Sequence, residues 1–390
     1  MYTVYLKRNE EKNIFSGYGF VFANEVYKIE GKDKNGSLAT VRSYDGIFIG
    51  RGYINHLSKI LVRIFIYNET DDEREVIISR LRRAKALRET TVGGDNYRAV
   101  YGEADLIPGL VADKYADVLS VQFLTLGTDM RKDMIVSCLR EVFSPKTIVE
   151  RSDVAVRKKE GLEEKKGVIF GEEKTEVVIN ENGLKMCVDL IGGQKTGYFL
   201  DQKFNRAAIR KYVRDKTVLD CFSNVGGFAL NAALAGAKEV YALDISETAL
   251  EGVRKNARLN GLENVTTVRC DVFEKLREFK AEKRRFGAIV LDPPAFCKDS
   301  SQVPAALKGY KDLNVIAMKL LEEDGILFSS SCSHFISAEQ FKRMLKESAK
   351  ESGKCVQIIE TRSQSKDHPS LISTDESLYL KFFVLRVFSL

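Results

Sequence analysis

The spacing of apolar residues changes twice along this chain, and each change marks a different kind of structure. Over residues 1–71 short apolar runs alternate with turn-formers. Tyr18–Val26, Ile47–Ile49 and Ile60–Tyr67 read as strands and residues 31–36 as a turn, which together predict a small β-barrel. Helical spacing runs from Asp72 to Glu89 and again from Met130 to Phe143. Between and after these, Tyr97–Tyr101, Val118–Leu124, Thr147–Glu150 and Thr175–Asn180 read as strands. Residues 72–184 therefore predict a compact α+β domain, with the Lys/Glu-rich stretch 157–176 as a mobile hairpin or linker. Over residues 185–390 strands alternate with helices, the mark of an α/β fold with a parallel sheet. Its strands are Thr217–Phe222, Val240–Ile245, Val265–Cys270, Gly287–Asp292 and Ile326–Ser331, and Ser246–Asn260 is one of its helices. Two final β-runs, Cys355–Thr361 and Leu378–Phe388, have no helix between them, so an antiparallel strand is expected to join the sheet.

Composition narrows the class. A chain of 390 residues is long enough for two or three domains, and 44% hydrophobic with 30% charged content suits a water-soluble surface over sizeable cores. No apolar run reaches the length of a membrane span, and the first residues lack the apolar core of a signal peptide. Seven scattered cysteines argue for thiols in a cytoplasmic protein rather than a disulfide framework. The three histidines, His56, His334 and His368, have no metal-ligand spacing, so no metal is expected. The net charge of +6 hints only mildly at a polyanionic partner. Two basic clusters say more: Arg80, Arg82, Arg83, Lys85 and Arg88 on one helix, and Arg151, Arg157, Lys158, Lys159, Lys165 and Lys166 around a loop. Either could track phosphates, although a solvated face is the default for each alone.

The candidate chemistry gathers where strands end. Ala288–Leu291 is an apolar run too short for a helix, and Asp292-Pro293-Pro294-Ala295-Phe296 stops it abruptly. Asp292 is thus held at the carboxyl end of a central strand, where open α/β sheets bind ligands. Phe296 offers a ring on which a planar base can stack. Upstream, Thr217 to Phe228 reads as strand, tight turn, helix, and Gly226 and Gly227 allow close approach to the backbone. G-x-G-x-x-G is absent, and Asp220 would repel a pyrophosphate, so a dinucleotide ranks second. An acid at this turn suits a cationic, phosphate-free ligand such as S-adenosylmethionine. Asp244 at the next strand end suits ribose hydroxyls, and Asp271 at the third suits an adenine amino group.

Ser329-Ser330-Ser331-Cys332-Ser333 ends the strand after that of Asp292, which brings Cys332 to the same sheet edge. A buried cysteine is ordinarily a small hydrophobe. To act as a nucleophile its pKa of about 8.5 must fall, and a sulfonium, nearby lysines or His334 could lower it. Cys297 is the rival nucleophile, while Cys221 and Cys270 read as packing residues. His368, in Lys366-Asp-His-Pro369, either lines a substrate cleft or shapes a turn.

The longest motifs now carry a resemblance. Arg151–Gly161, Lys195–Gln202, Cys221–Phe228, Asp292–Phe296, Gly309–Asp312 and Ser331–Ser333, in that order, resemble the PUA-domain class I methyltransferases that form 5-methylcytosine in large-subunit ribosomal RNA. The resemblance implies a PUA RNA-binding barrel over residues 1–71, a central α+β domain over 72–184, and a Rossmann-like methyltransferase domain with a seven-stranded, mostly parallel sheet over 185–390. It implies that Lys195, Tyr198, Asp201 and Gln202 close over S-adenosylmethionine, with Asp220, Phe222, Gly226, Gly227, Asp244, Asp271 and Asp292 completing its site. Pro293, Pro294, Phe296 and His368 would then face the RNA base, and Cys332 would match the nucleophile. The chain departs from the family pattern at Ala295 and in having Cys297.

The chemistry implied is addition of a Cys332 thiolate to carbon 6 of cytosine, which makes carbon 5 nucleophilic, with Asp292 on the base edge. Methylation of a purine nitrogen, for which Asp292–Phe296 alone would serve, is the second reading. An RNA-binding assembly factor without catalysis is the third. The oligomeric state, a homodimer included, stays open.

Overall fold

The computed structural model describes residues 1–15, 17–297, 299–373 and 377–389. By internal contacts the chain falls into two compact units, residues 1–179, 188–200 and 366–377 in one and residues 180–187, 201–365 and 378–390 in the other.

The first unit holds two sheets. One is six-stranded, in the order Phe20–Phe22, Ile60–Ile66, Phe48–Ile54, Leu38–Arg42, Tyr2–Leu6, Val26–Glu30, and it encloses Val4, Leu6, Val21, Val41, Val62 and Ile64. The predicted run Tyr18–Val26 is broken there by a 3-10 turn, Ala23–Glu25, and the strands Tyr2–Leu6 and Leu38–Arg42 went unpredicted. The other sheet is five-stranded, in the order Lys165–Gly171, Thr147–Ser152, Val118–Phe123, Leu110–Tyr115, Asn96–Tyr101. Helices Glu73–Thr91 and Lys132–Phe143 bury Ile77, Leu81, Ile135 and Leu139 against it. The first helix starts at Asp72, whose carboxylate accepts from the Arg74 and Glu75 amides at 2.9 and 3.1 Å. Lys165–Gly171, expected to be part of a hairpin or linker, is an edge strand antiparallel to Thr147–Ser152. Its lysines point to solvent, as charged side chains on sheet edges often do, and that masked the strand in the sequence.

The arginine clusters divide in a way that neither expectation anticipated. Arg88 is 0% exposed and forms a two-pronged pair with Asp105 at 2.6 and 2.7 Å. Arg157, equally buried, donates to the carbonyls of Phe123 and Glu163 and to Asp129. Arg151 donates to the carbonyls of Leu190 and Gly193 at 2.9 and 2.7 Å. These three tie loops to the sheet and cannot track phosphates. Arg82, Arg83, Lys158, Lys159, Lys165 and Lys166 remain exposed.

The second unit is the α/β domain. Its strands are β1 (Thr217–Cys221), β2 (Glu239–Asp244), β3 (Val265–Arg269), β4 (Phe286–Leu291), β5 (Leu321–Ser331), β6 (Cys355–Arg362) and β7 (Lys381–Phe388), in the order β3-β2-β1-β4-β5-β7-β6. The first five are parallel, and β7 runs antiparallel between β5 and β6, as the helix-free ending predicted. Helices α1 (Gly227–Leu234), α2 (Glu247–Leu259), α3 (Val272–Ala281), α4 (Val303–Leu320) and α5 (Ala338–Ser352) cover the two faces. Alternation within β4 explains how both are filled. Ile289 and Leu291 join the core built with α3, α4 and α5, while Ala288 and Val290 join the core built with α1 and α2. The strand order reverses beside β1, between β2 and β4, which is where such sheets open a ligand crevice. Among the described residues no helix is long and apolar enough to cross a membrane.

Candidate active site

The turn after β1 is built for close backbone approach. Phe222, Asn224 and Gly226 all have positive φ, at 64°, 48° and 91°. A bulky residue such as Phe222 rarely adopts that conformation, so the turn holds local strain of the kind found at functional sites. A side chain at Gly226 would also press on Val253 at 3.1 Å. Gly227 begins α1 directly afterwards, so the helix amides face the turn.

Asp220 ends inside this turn with little compensation. Its Oδ2 accepts from the Ala229 amide at 2.9 Å. Its Oδ1 and the Ser223 hydroxyl are buried without a hydrogen-bond partner among the described residues. Burial pushes the Asp220 carboxyl well above the usual range, and the nearby Asp292 and Asp244 add to the effect. A buried acceptor of this kind fits a ligand that brings a cationic donor, as the ammonium of S-adenosylmethionine does. Asp244 accepts from the Asn224 and Ser246 amides, both at 2.9 Å, which fixes its carboxylate beside the same turn. Asp271 caps α3, accepting from Phe273 and Glu274 through one oxygen, Oδ1.

At the end of β4, Asp292 is held from two sides. Gln202 Nε2 donates to its Oδ1 at 2.8 Å, and the Ser330 hydroxyl donates to the same atom. Burial raises its carboxyl to about 6, against the lowering effect of the Ser330 hydrogen bond. Gln202 is oriented in turn: its Oε1 accepts from Asn205 at 2.7 Å, and Asn205 Oδ1 accepts from Arg362 at 3.0 Å. Asp201, next to Gln202, accepts from the Tyr379 hydroxyl. Asn205, Arg362 and Tyr379 carry no motif and were invisible in the sequence, whereas Ser330 appeared there only as part of the serine run before Cys332. Only the register Leu291–Ser329 between β4 and β5 brings Ser330 to Asp292.

Cys332 lies just past the end of β5 and keeps partial exposure. Cys297 is 4% exposed, packs in the core and donates to the Asp299 carbonyl at 2.9 Å. Cys221 is a core thiol and the partly buried Cys270 packs against the same core, the first pushed well up and the second to about 11 by burial. All seven cysteines are thiols rather than disulfides. In the Pro loop, Pro293 is buried and Pro294 exposed, while Phe296 packs against Tyr310 at 4.6 Å.

Three expected site residues belong to the first unit. Tyr198 is bonded through its amide and carbonyl to the Tyr115 hydroxyl at 3.1 and 3.2 Å. Lys195 has a positive φ of 52° and sets its ammonium over the Phe199 ring at 4.5 Å. His368 is 3% exposed, with Nδ1 2.9 Å from Asp367 and its ring 5.2 Å from that of Tyr101. Among the described residues no cluster of three or more metal-binding side chains occurs.

Known proteins agree with this architecture. The S-adenosylmethionine-dependent methyltransferase family matches residues 159–386, and the PUA-like domain matches residues 4–66. The chain is 40% identical over 390 residues to ribosomal RNA large subunit methyltransferase I of Aeromonas salmonicida, covering 98% of each. It is 38% identical over 393 residues to the protein of that name from Klebsiella pneumoniae, covering 98% of this chain and 97% of the other. A solved chain from Streptococcus mutans, described as a SAM-dependent methyltransferase, shares the fold with a TM-score of 0.82 at 22% identity, over 99% of this chain and 100% of its own. A second solved chain, described as a methyltransferase complexed with SAH, has a TM-score of 0.83 at 21% identity over the same shares. The chain belongs to the S-adenosylmethionine-dependent methyltransferase family, and it carries a PUA-like domain ahead of the part that matches that family.

Proposed function

We propose that this protein is a cytoplasmic ribosomal RNA methyltransferase that forms 5-methylcytosine in the large-subunit RNA through a covalent Cys332 adduct. The observation that carries the reading is the arrangement at the ends of β4 and β5. A partly exposed thiol follows Ser330, whose hydroxyl is bonded to an acid that burial keeps partly protonated near neutral pH. The large-subunit RNA substrate is supported by the names of relatives 38–40% identical over nearly the whole chain.

In this reading Asp220, Phe222, Gly226, Gly227, Asp244 and Asp271 hold S-adenosylmethionine, with Asp201, Gln202 and Asp292 beside them. The bound cofactor supplies an electrophilic methyl group. The Cys332 thiolate adds to carbon 6 of a cytosine extruded from its stack. The carbon 5–carbon 6 double-bond electrons are thereby released, and the developing negative charge reaches the ring nitrogen. Asp292 stabilises that charge by hydrogen bonding in its protonated form. The methyl group that the cofactor would supply would bond to carbon 5 as its bond to the sulfonium breaks, leaving a neutral thioether; loss of the carbon 5 proton to solvent would then restore the ring double bond as Cys332 leaves as its thiolate. Pro293, Pro294 and Phe296 are the proposed contacts to the base and its neighbours.

Methyl transfer from labelled cofactor to large-subunit RNA, followed by mapping of the labelled base, tests this directly. The label is expected on carbon 5 of a cytosine. Cys332→Ala is expected to lower turnover on the order of 10³-fold or more while leaving cofactor affinity within about twofold. A label on a purine nitrogen, or undiminished turnover in Cys332→Ala, would reject the proposal.

A further inference from the structure

Lys381 opens β7, and its register partner is Ser331, the last residue of β5 before Cys332. It is 6% exposed in a strand whose next four residues are buried and apolar. Its ammonium donates to two neutral acceptors, the carbonyls of Ser333 at 2.6 Å and Tyr379 at 2.7 Å. Among the described residues it has no carboxylate partner. An ammonium buried with neutral acceptors alone is costly, and a methionine would fill the same strand position without that cost. Burial lowers the group to about 8, and the electrostatic influence of nearby Cys332 acts in the opposite direction.

We propose that Lys381 is a positioning residue for methyl transfer, whose ammonium is the counter-charge that holds Cys332 as a thiolate and whose bond to the Ser333 carbonyl fixes the turn presenting it. The inference rests on the nucleophilic role of Cys332 proposed above. The thiol proton passes to solvent, because Lys381 already carries its own proton at neutral pH. The resulting thiolate–ammonium pair has no net charge, which suits a desolvated sheet edge.

Several other titratable groups lie near this pair among the described residues. Tyr310, from α4, sets its hydroxyl 3.0 Å from the Ser333 hydroxyl, and burial raises its ionisation, so it stays neutral. His334 stacks on Tyr379 at 4.7 Å, Asp201 is bonded to the Tyr379 hydroxyl, and Asp292 is bonded to Ser330. The strand pairing sets Lys381 opposite Ser331, and its bond to the Ser333 carbonyl brings its ammonium to the residues on either side of Cys332.

The test is the pH dependence of Cys332 alkylation by iodoacetamide in the full chain, followed for the Cys332 peptide by mass spectrometry. The wild-type midpoint is expected at least about one unit below the free-thiol value of about 8.5. Lys381→Met is expected to raise that midpoint by about one unit or more and to slow alkylation near pH 7 on the order of tenfold. Lys381→Arg is expected to restore the midpoint, which a purely structural role would not predict. A wild-type midpoint at or above about 8.5 overturns the proposal without any variant, and so does an unchanged midpoint in a folded Lys381→Met protein. Neither measurement involves RNA or cofactor. Full turnover in Cys332→Ala would therefore remove the nucleophile reading while leaving the ion pair itself measured.

Discussion

Buried charge is treated in opposite ways in the arginine anchors of the first unit and at the sheet edge of the second. Arg88 meets both oxygens of Asp105 and adds the carbonyls of Arg98 and Asp367, while Arg98 meets both oxygens of Asp113. Glu160 likewise collects Asn55, Ser58 and Arg63. At the carboxyl ends of β1 and β4 and the start of β7, Asp220, Asp292 and Lys381 are instead displaced toward their neutral forms. The contrast follows position rather than unit, because Arg206 and Glu181 in the second unit form a buried two-pronged pair at 2.6 and 2.7 Å. Charges with complete protein partners hold loops and strands together. Charges left short of partners cost stability, and they collect where a ligand or a reacting group supplies the missing interaction.

That distinction makes the sign of a mutation depend on where the charge lies. The largest change is expected for Arg88→Ala, which strands the buried Asp105 carboxylate. Chemical denaturation should show a loss of about 3–5 kcal/mol; a loss under about 1 kcal/mol would mean the pair does not carry the structure it joins.

Asp292→Asn is expected to act the other way. The carboxyl rises from 3.8 to about 6 on folding, so its contribution to stability is fully present below about pH 4 and is lost as pH climbs through 6. The variant should therefore gain up to about 3 kcal/mol at pH 7 and nothing at pH 4, while methyl transfer falls. A gain independent of pH would point to packing instead.

For Asp220→Asn, calorimetry should show cofactor affinity reduced by about tenfold or more, with stability of the cofactor-free protein undiminished. Unchanged affinity together with lost stability would move Asp220 into the same class as Asp105. The smallest effect belongs to Arg82→Ala, whose exposed pair with Glu141 at 2.8 Å should contribute less than about 0.5 kcal/mol. A larger loss would mean that exposed arginines of this helix share the anchoring role of Arg88.

Much of the α/β domain was legible because local rules and the final fold agree there. The double-faced apolar run before Asp292, the cap at Ser246 and the helix-free ending each report a feature that survives in three dimensions. Two strands of the five-stranded sheet, one at its edge and one inside it, were harder. Lys165–Gly171 and Leu110–Tyr115 lack a clean period-two pattern, since one carries lysines to solvent and the other is buried almost throughout. The arginine clusters misled for a related reason. Charge in a sequence records the residue type, whereas burial depends on which strand or loop packs over it, so Arg82 and Arg88 look alike until Asp105 is in place.

By itself the sequence determined the sheet class and the strand ends bearing Asp220, Asp244, Asp271 and Asp292, and it set Cys332 at the end of the strand after that of Asp292. Those features follow from runs of a few residues, where periodicity, proline and glycine act locally. Tertiary structure alone decided the supporting groups. Gln202 reaches Asp292 from 90 residues away in the chain, and Lys381 reaches the Ser333 carbonyl from 48 residues away. Such partners are selected by strand order and register, which depend on the whole sheet closing at once and leave no short-range trace.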